Sequence, residues 1–202
     1  MEIEEAEGDD ILYAVKKALP GESIVVVSED MDLAQLVDER TRLFRPGREI
    51  LIDVDTFEEN VGIRREDFLI WKAMIGDSSD NVAGVKGIGK KRGTNLLTEW
   101  TTGGDFYHYC AAHKSIPVKR VAESRELIER NLSVMDLSRF PWDNDNFTLV
   151  LEQLNRPNPV DGDRIRSLFT ELRFDSVLNH LSAWLVPFNL LRTPAPLPAT
   201  NP

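Results

Sequence analysis

Three short acidic clusters contain the residues of this chain best suited to chemistry. They read E-G-D-D at 7–10, S-E-D-M-D at 28–32 and G-D-S-S-D-N at 76–81. Carboxylates gathered into one pocket repel one another and require bound cations to remain ionised together. The clusters therefore predict a cation site wherever the fold brings them together. The candidate residues are Glu7, Asp9, Asp10, Asp30, Asp32, Asp77 and Asp80.

The ligand type indicates which cation such a site would bind. Carboxylate oxygens without His or Cys partners favour hard ions such as Mg²⁺ or Mn²⁺, and the three histidines of the chain lie outside the clusters. Two such ions about 4 Å apart can stabilise both the attacking and the leaving oxygen of a phosphodiester. Each cluster also has a structural interpretation: the first two as helix caps and the third as a polar turn.

A glycine-rich turn, G-V-K-G-I-G-K-K-R at 84–92, follows the third cluster. It is not a P-loop, because Lys91 replaces the Ser or Thr and no buried strand precedes it. Glycines let a backbone approach phosphate, and the N–H groups of the next helix together with nearby cations can bind it. The structural alternative is an ordinary loop before a helix. The predicted DNA-binding residues are Gly84, Lys86, Gly87, Gly89, Lys90, Lys91 and Arg92.

Strands precede helices along this chain. Helical spacing of apolar residues predicts a helix over 9–19, and the β-branched run at 23–28 is typical of a strand buried on both faces of a parallel sheet. Short strands are predicted at 42–45 and 49–52, and a helical pattern at 55–75. Beyond these lie further helical patterns, so we expect an α/β region followed by a helical one. They cover 88–99, 106–112, 118–135 and 161–184.

Composition limits the functional classes without selecting one. The net charge of −10 disfavours indiscriminate binding to nucleic acid, although the acid is concentrated in clusters and residues 86–92 contain none. The single Cys110 excludes an internal disulfide and suits a reducing compartment. No apolar run approaches the roughly 20 residues of a membrane span. We expect a soluble protein of the cytoplasm, with no membrane partner.

Taken together, these motifs resemble the 5′-nuclease family, which includes bacteriophage flap endonucleases and the 5′-nuclease domain of bacterial DNA polymerase I. The family patterns E-A-D-D, [ST]-x-D-x-D-x-x-Q-L and G-D-x-x-D-N-[IV]-x-G-V-x-G-I-G-x-K appear here in order, at 7–10, 28–36 and 76–91. The resemblance covers about residues 1–185, and its third motif is highly specific. It places the protein in the cytoplasm of a bacterium or a phage-infected host.

The resemblance implies an α/β fold in which an incomplete, mostly parallel sheet and its flanking helices form a PIN-like nuclease core. A helical part with a DNA-binding helix–three-turn–helix follows the core. Residues 1–67 would be the C-terminal part of the core, and residues 68–185 the helical region, with the helix–three-turn–helix at 68–99. The Pro-rich residues 186–202 are predicted to form a disordered tail.

The implied activity is divalent-metal-dependent, structure-selective hydrolysis of phosphodiesters in flapped or nicked DNA, or at a free 5′ end, during replication or repair. An RNA–DNA hybrid is a further implied substrate. Glu7 and Asp9 would belong to a first Mg²⁺ or Mn²⁺ site, with Asp10 close by as a further catalytic candidate. Backbone carbonyls near Val85 and Ile88 would bind K⁺. A second metal site would use Asp30, Asp32, Asp77 and Asp80.

The chain departs from the family before its first motif. Family members there carry a strand with an Asp ligand and a helical arch with a catalytic Lys and Arg, whereas six residues precede Glu7 here. Three interpretations stay open: a fragment, a nuclease with a separately encoded N-terminal half, or a degenerate form. The functional alternative to a nuclease is a catalytically incomplete module that binds the DNA backbone.

Overall fold

The computed structural model describes residues 3, 6–100, 104–156 and 160–190. Among these residues, helix α1 (Gly8–Ala18) precedes a sheet in which β1 (Ile24–Val27) runs parallel to β2 (Thr41–Arg45). Strand β3 (Ile50–Ile52) pairs with β2 in the antiparallel direction. A 3₁₀ helix (Met31–Leu36) begins at the carboxyl end of β1. The predicted helix at 9–19 and the strands at 42–45 and 49–52 are confirmed to within two residues.

The two faces of this sheet differ in burial. Val26, Leu43 and Ile52 form one row across the strands and are at most 7% exposed. On the opposite face, Val25 and Val27 are 47% and 63% exposed. The prediction that this strand is buried on both faces is wrong among the described residues, because side chains alternate along a strand and the described core covers only one face.

The helical pattern at 55–75 is interrupted. Helix α2 (Phe57–Val61) ends at Gly62, whose φ of 84° is in the left-handed region. A 3₁₀ turn (Arg65–Asp67) then leads into α3 (Phe68–Ile75). After α3 comes a small hairpin of β4 (Gly76–Asp77) and β5 (Val82–Ala83), followed by α4 (Lys90–Glu99).

The remaining helices of the first compact unit are α5 (Phe106–Ala112), α6 (Ile116–Glu123) and α7 (Arg125–Met135). The pattern at 118–135 is thus divided at Ser124. The sheet and these helices share one hydrophobic core, to which β2, α3, α4 and α7 contribute fully buried side chains. Those side chains are Leu43, Met74, Leu97 and Ile128.

The described residues fall into two compact units that divide between Phe147 and Thr148. This division does not coincide with the predicted boundary after residue 67, which lies inside the shared core. Helix α8 (Asn144–Asn155) spans the division. The second unit contains α9 (Gly162–Glu171), α10 (Asp175–Leu178) and α11 (Leu181–Leu190).

Residues 186–190, which were predicted to be part of the Pro-rich tail, belong to helix α11. Residues 191–202, the rest of that tail, lie outside the described residues. The second unit also has its own aromatic contact, with ring centroids of Phe169 and Trp184 5.6 Å apart. No helix in the described part of the chain is long and apolar enough to cross a membrane.

Candidate metal centre

Three of the predicted carboxylates meet in space. Oxygen atoms of Asp32, Asp77 and Asp80 lie within 4.8 Å of one another. Asp32 belongs to the 3₁₀ helix that follows β1, Asp77 ends β4, and Asp80 lies in the turn before β5. The group therefore joins the carboxyl end of the sheet to the β4–β5 hairpin.

The other predicted acids lie around a cleft of about 700 Å³ next to this group. Asp32 and Asp80 line this cleft, whereas Asp77 lines a neighbouring cleft of about 440 Å³ that also includes Asp32. Asp30 is outside the close group of three, although it lines the larger cleft. The acids that complete its lining are Glu7, Asp9, Asp10 and Asp136.

The structural roles foreseen for the first two clusters are also present. Glu7 and Asp10 form a reciprocal capping box at the start of α1, in which the main-chain N–H of Glu7 donates to Asp10 Oδ2 over 3.0 Å. Asp30 caps the 3₁₀ helix by accepting from the N–H of Asp32 at 2.8 Å. Capping and cleft lining are compatible, since each carboxylate has two oxygens.

Mutual repulsion is visible in the acid cleft. Burial raises the pKa of Asp9, and the negative charges of Asp30 and Asp32 raise it further. Burial likewise raises the pKa of Asp32, against the opposing effect of a hydrogen bond from Lys72. These carboxylates are close enough to disfavour simultaneous ionisation, which is the condition that a bound cation relieves.

The pKa of Asp77 is lowered, in contrast to the raised pKa values of Asp9 and Asp32. A hydrogen bond from the Ser79 hydroxyl is the main cause that lowers its pKa, and Lys72 adds a second bond at 3.0 Å. The N–H of Ser79 also donates to Asp77 Oδ1, over 2.8 Å. Asp77 is therefore held ionised and oriented as a potential ligand.

Lys72 also belongs to this site, although none of the three acidic motifs predicts it. Its ammonium group forms ion pairs with Asp32 and Asp77, and the residue is 7% exposed. Burial favours its neutral form, but the two hydrogen bonds outweigh that effect and raise its pKa. The sequence feature that could have predicted this role is a cation inside the otherwise apolar sequence F-L-I-W-K-A-M-I of α3.

Gln35, which lies within the second motif at 28–36, is a further residue of this site that was not predicted. Its side-chain amide donates to the carbonyl oxygens of Asp32 and Met135 at 3.0 and 3.1 Å. Its Oε1 accepts from the N–H of Leu137 at 3.0 Å. Gln35 thus fixes the segment after α7 as the opposite wall of the acid cleft, where Arg139 also lies.

The glycine-rich turn packs tightly against the end of α3. The N–H of Val85 donates to the carbonyl of Met74 at 2.8 Å, and a Cβ on Gly84 would lie 2.1 Å from the carbonyl oxygen of Ile75. Gly87 has φ of 88°, a conformation that other residues rarely adopt. Gly89 caps α4 with extended backbone. These contacts explain why glycine occupies positions 84 and 87.

The cations predicted to bind DNA are on the surface of this turn. Lys86, Lys90, Lys91 and Arg92 are exposed. Arg92 donates to the carbonyl of Gly87. In contrast, Val85 and Ile88 are buried, and the N–H of Ile88 donates to the carbonyl of Val85 at 2.9 Å. The turn presents charge outward on a fixed backbone.

The donor set suits a hard divalent ion. The three close groups are carboxylates from separate elements, and burial is the main cause that raises the pKa of Asp32, with the negative charges of Asp30 and Asp77 adding to it. The histidines His108, His113 and His180 are not part of this group. The small mixed sheet, this acidic centre and the exposed cationic turn together define an α/β protein with a carboxylate group that could hold a metal ion and a surface suited to phosphate.

The sequence is similar to those of known DNA-processing enzymes. The chain is 32% identical over 204 residues to the thermostable DNA polymerase I of Thermus thermophilus, covering 98% of this chain and 22% of the polymerase. It is 30% identical over 125 residues to flap endonuclease Xni of Shewanella amazonensis, covering 61% of this chain and 49% of that enzyme. No family model matches.

The fold is similar to solved structures of a bacteriophage nuclease. The bacteriophage T5 D15 protein co-crystallised with metal ions is similar with a TM-score of 0.62 and 25% identity, over 76% of this chain and 55% of that one. The T5 D15 flap endonuclease in a pseudo-enzyme–product complex with DNA and metal ions matches with a TM-score of 0.61. The resemblance to the 5′-nuclease family is thereby confirmed, and the mixed α/β fold is like that of the T5 enzyme. The chain spans about a fifth of the polymerase and about half of the flap endonuclease.

Proposed function

We propose that this chain is the metal- and DNA-binding part of a divalent-metal-dependent, structure-selective 5′ nuclease. Its substrates would be flapped or nicked DNA, DNA with a free 5′ end, and RNA–DNA hybrids, met in the bacterial or phage-infected cytoplasm during replication or repair. The convergence of Asp32, Asp77 and Asp80 within 4.8 Å carries the proposal. The relative named flap endonuclease and the T5 flap endonuclease complex with DNA and metal ions support it.

In this proposal, Asp32, Asp77 and Asp80 hold one ion, while Glu7 and Asp9 contribute to a second site across the larger cleft. These residues would hold two Mg²⁺ or Mn²⁺ ions, which when bound would supply positive charge to activate water and to stabilise the leaving oxygen of a phosphodiester. Asp10 and Asp30 fix the local backbone of those ligands through their capping bonds. Gln35 positions the opposite wall of the cleft through its hydrogen bonds with Met135 and Leu137.

The glycine-rich turn would bind the duplex beside the cleft. Exposed Lys86, Lys90, Lys91 and Arg92 would contact phosphates, with the first N–H groups of α4 at the same surface. Phosphate contacts carry no base information, so recognition would depend on the shape of the DNA and not on its sequence. A K⁺ ion bound near the carbonyls of Val85 and Ile88 would add positive charge to the same turn.

The exposed face of the sheet favours a companion segment. Val25, Val27 and Leu51 are 47%, 63% and 39% exposed, and β1 pairs with a strand on one side only among the described residues. Parallel strands are normally covered on both faces, and open strand edges promote association. An N-terminal portion like that of the family, in the same polypeptide or separately encoded, would cover this face. Co-expression with the polypeptide encoded immediately upstream should give a complex that Val27→Lys abolishes, and persistence of the complex in that variant would exclude this face.

The activity is tested with a labelled 5′-flap duplex, Mg²⁺ or Mn²⁺, and the chain with and without its companion polypeptide. Cleavage near the junction is expected from the complete assembly, and Asp77→Asn/Asp80→Asn should reduce its rate by at least about 100-fold because two ligands are lost. Asp163→Asn/Asp175→Asn is the matched control, since both residues are exposed and lie in the second unit. Normal cleavage by the Asp77/Asp80 variant would contradict the proposal.

The alternative is a module that binds the DNA backbone without cutting it. The exposed cations at 86–92 favour this alternative if the acidic cleft proves inert. It predicts salt-sensitive binding to flap DNA that is unchanged by Asp77→Asn/Asp80→Asn, with no cleavage under any metal condition. Cleavage by the chain alone would exclude it.

A further inference from the structure

Lys72 occupies an unusual position for a lysine. It lies in the second half of α3 among buried Trp71, Ala73 and Met74, and it is itself 7% exposed. A buried ammonium group is costly unless ionised partners surround it. The free energy of this arrangement therefore depends on the carboxylates that face Lys72.

Those partners are members of the candidate metal centre. The Lys72 ammonium donates to Asp32 Oδ1 and to Asp77 Oδ2, the latter at 3.0 Å. Gly76, with φ of 72°, reverses the chain after α3 and returns Asp77 toward the helix. Asp32 lies in the 3₁₀ helix that follows the carboxyl end of β1. The ammonium thus lies between two of the three carboxylates that could hold a metal ion.

The charge balance of this group limits what it can bind. With Asp32, Asp77 and Asp80 ionised, one ammonium leaves a net charge of −2, which a single divalent ion neutralises. An ion and the ammonium repel each other at a shared carboxylate oxygen, and both oxygens of Asp77 already accept hydrogen bonds, Oδ2 from Lys72 and Oδ1 from Ser79. One of the two contacts of Lys72 must therefore weaken when a metal ion enters.

A second position is available to the Lys72 side chain. Lys72 lines the cleft of about 440 Å³, whose wall also includes Asn60, Ser78 and Ser79. These residues offer polar groups to a displaced ammonium, so leaving Asp32 or Asp77 does not require burial in an apolar environment. Two arrangements of one long, flexible side chain are thus available at the same site.

We propose that Lys72 is a built-in counter-cation that holds Asp32 and Asp77 together in the metal-free protein and is displaced when a divalent ion binds. The proposal rests on the metal site of the proposed function. It makes metal binding a competition with an internal ammonium group. Lys72 accordingly weakens metal affinity while stabilising the protein when no metal ion is bound.

The test measures Mn²⁺ binding, by the loss of the electron paramagnetic resonance signal of free Mn²⁺, and thermal unfolding in EDTA. Lys72→Met should bind Mn²⁺ about tenfold more tightly or better, because a competing charge a few ångströms away is removed. The same variant should unfold at a lower temperature in EDTA and gain more from added Mn²⁺ than the parent protein. Lys72→Arg keeps the charge and should bind Mn²⁺ no more tightly than the parent protein.

Lys119→Met is the matched control, since Lys119 is exposed on α6 and should leave both measurements unchanged. Lys72→Gln covers the case in which the Met variant fails to fold, because it keeps a hydrogen-bond donor while removing the charge. Unchanged or weaker Mn²⁺ binding by folded Lys72→Met or Lys72→Gln would overturn the proposal. Absence of Mn²⁺ binding in the parent and in every Lys72 variant would overturn the metal site itself, a distinguishable failure.

Discussion

The side-chain amide of Asn131 donates a 2.8 Å hydrogen bond to the main-chain carbonyl of Ala73, 58 positions earlier in the chain. The same amide donates to the carbonyl of Ala83 at 2.9 Å, and Asn131 is 1% exposed. One buried side chain of α7 thus connects the end of α3 to strand β5. The hairpin that carries Asp77 and Asp80 is held in place by this connection.

Replacing Asn131 with Ala should therefore destabilise the protein. The change leaves the buried carbonyl of Ala73 and the part-buried carbonyl of Ala83 without this donor and opens a small cavity, so we expect the free energy of unfolding to fall by about 2–4 kcal/mol. Urea denaturation followed by circular dichroism measures it. Asn95→Ala, at a position of α4 away from these contacts, should change the free energy by less than about 0.5 kcal/mol. Equal effects of the two substitutions would contradict the assigned role of Asn131.

Gly84→Ala should disturb the hairpin directly. The added Cβ would lie 2.1 Å from the carbonyl oxygen of Ile75, a backbone atom that cannot move without shifting α3. We expect a loss of about 2 kcal/mol or more in unfolding free energy, together with weaker Mn²⁺ binding because Asp77 and Asp80 move. Gly89→Ala is the control, since no atom lies within 4 Å of its added Cβ. A stable Gly84→Ala protein with normal Mn²⁺ affinity would show that the close approach is unimportant.

Removing Lys90 and Lys91 should weaken binding to DNA of any sequence. Each lysine that contacts a phosphate releases about one counterion, so Lys90→Ala/Lys91→Ala should lower the slope of log K against log salt by about two. Fluorescence anisotropy with a flap duplex at several salt concentrations measures this slope. The pair Lys114→Ala/Lys119→Ala, outside the turn, changes net charge equally and should have little effect. Similar slopes for both double variants would exclude a local contact at the turn.

Asp38 should make stability depend on pH in the acid range. Burial raises its pKa, but hydrogen bonds from Lys16 and from the N–H groups of Arg40 and Thr41 outweigh this and lower the pKa to about 2. The Lys16–Asp38 ion pair has an N–O distance of 2.7 Å. Because the pKa is lower in the folded protein than the 3.8 of an ordinary Asp, this stabilisation is complete above about pH 4 and is lost as the pH falls toward 2.

Asp38→Asn should consequently lower the free energy of unfolding by about 1–2 kcal/mol at pH 7, and by much less at pH 2.5. Urea denaturation of the parent and variant at pH 7, 4 and 2.5 measures the difference. Asp163→Asn is the control, since Asp163 is exposed. A difference between parent and Asp38→Asn that stays constant from pH 7 to 2.5 would refute the assignment.

Local sequence rules predicted much of this protein. The spacing of apolar residues located α1, β2 and β3, because period and turn chemistry are local properties. The three acidic motifs and the cationic turn were found from residue types alone. The capping interpretations of Glu7, Asp10 and Asp30 also hold, and they coexist with positions lining the cleft.

Tertiary structure decided the rest. The sequence could not show that α3 ends in a glycine that returns Asp77 to Lys72, or that Gln35 and Asn131 each bridge segments far apart in the chain. It also predicted two buried faces for β1, where the structure leaves one exposed. Residue types determine which cations and phosphates can be bound, since that chemistry belongs to individual side chains. Which carboxylates share a site, and which ammonium group lies between them, depends on contacts between distant segments that form only when the core packs.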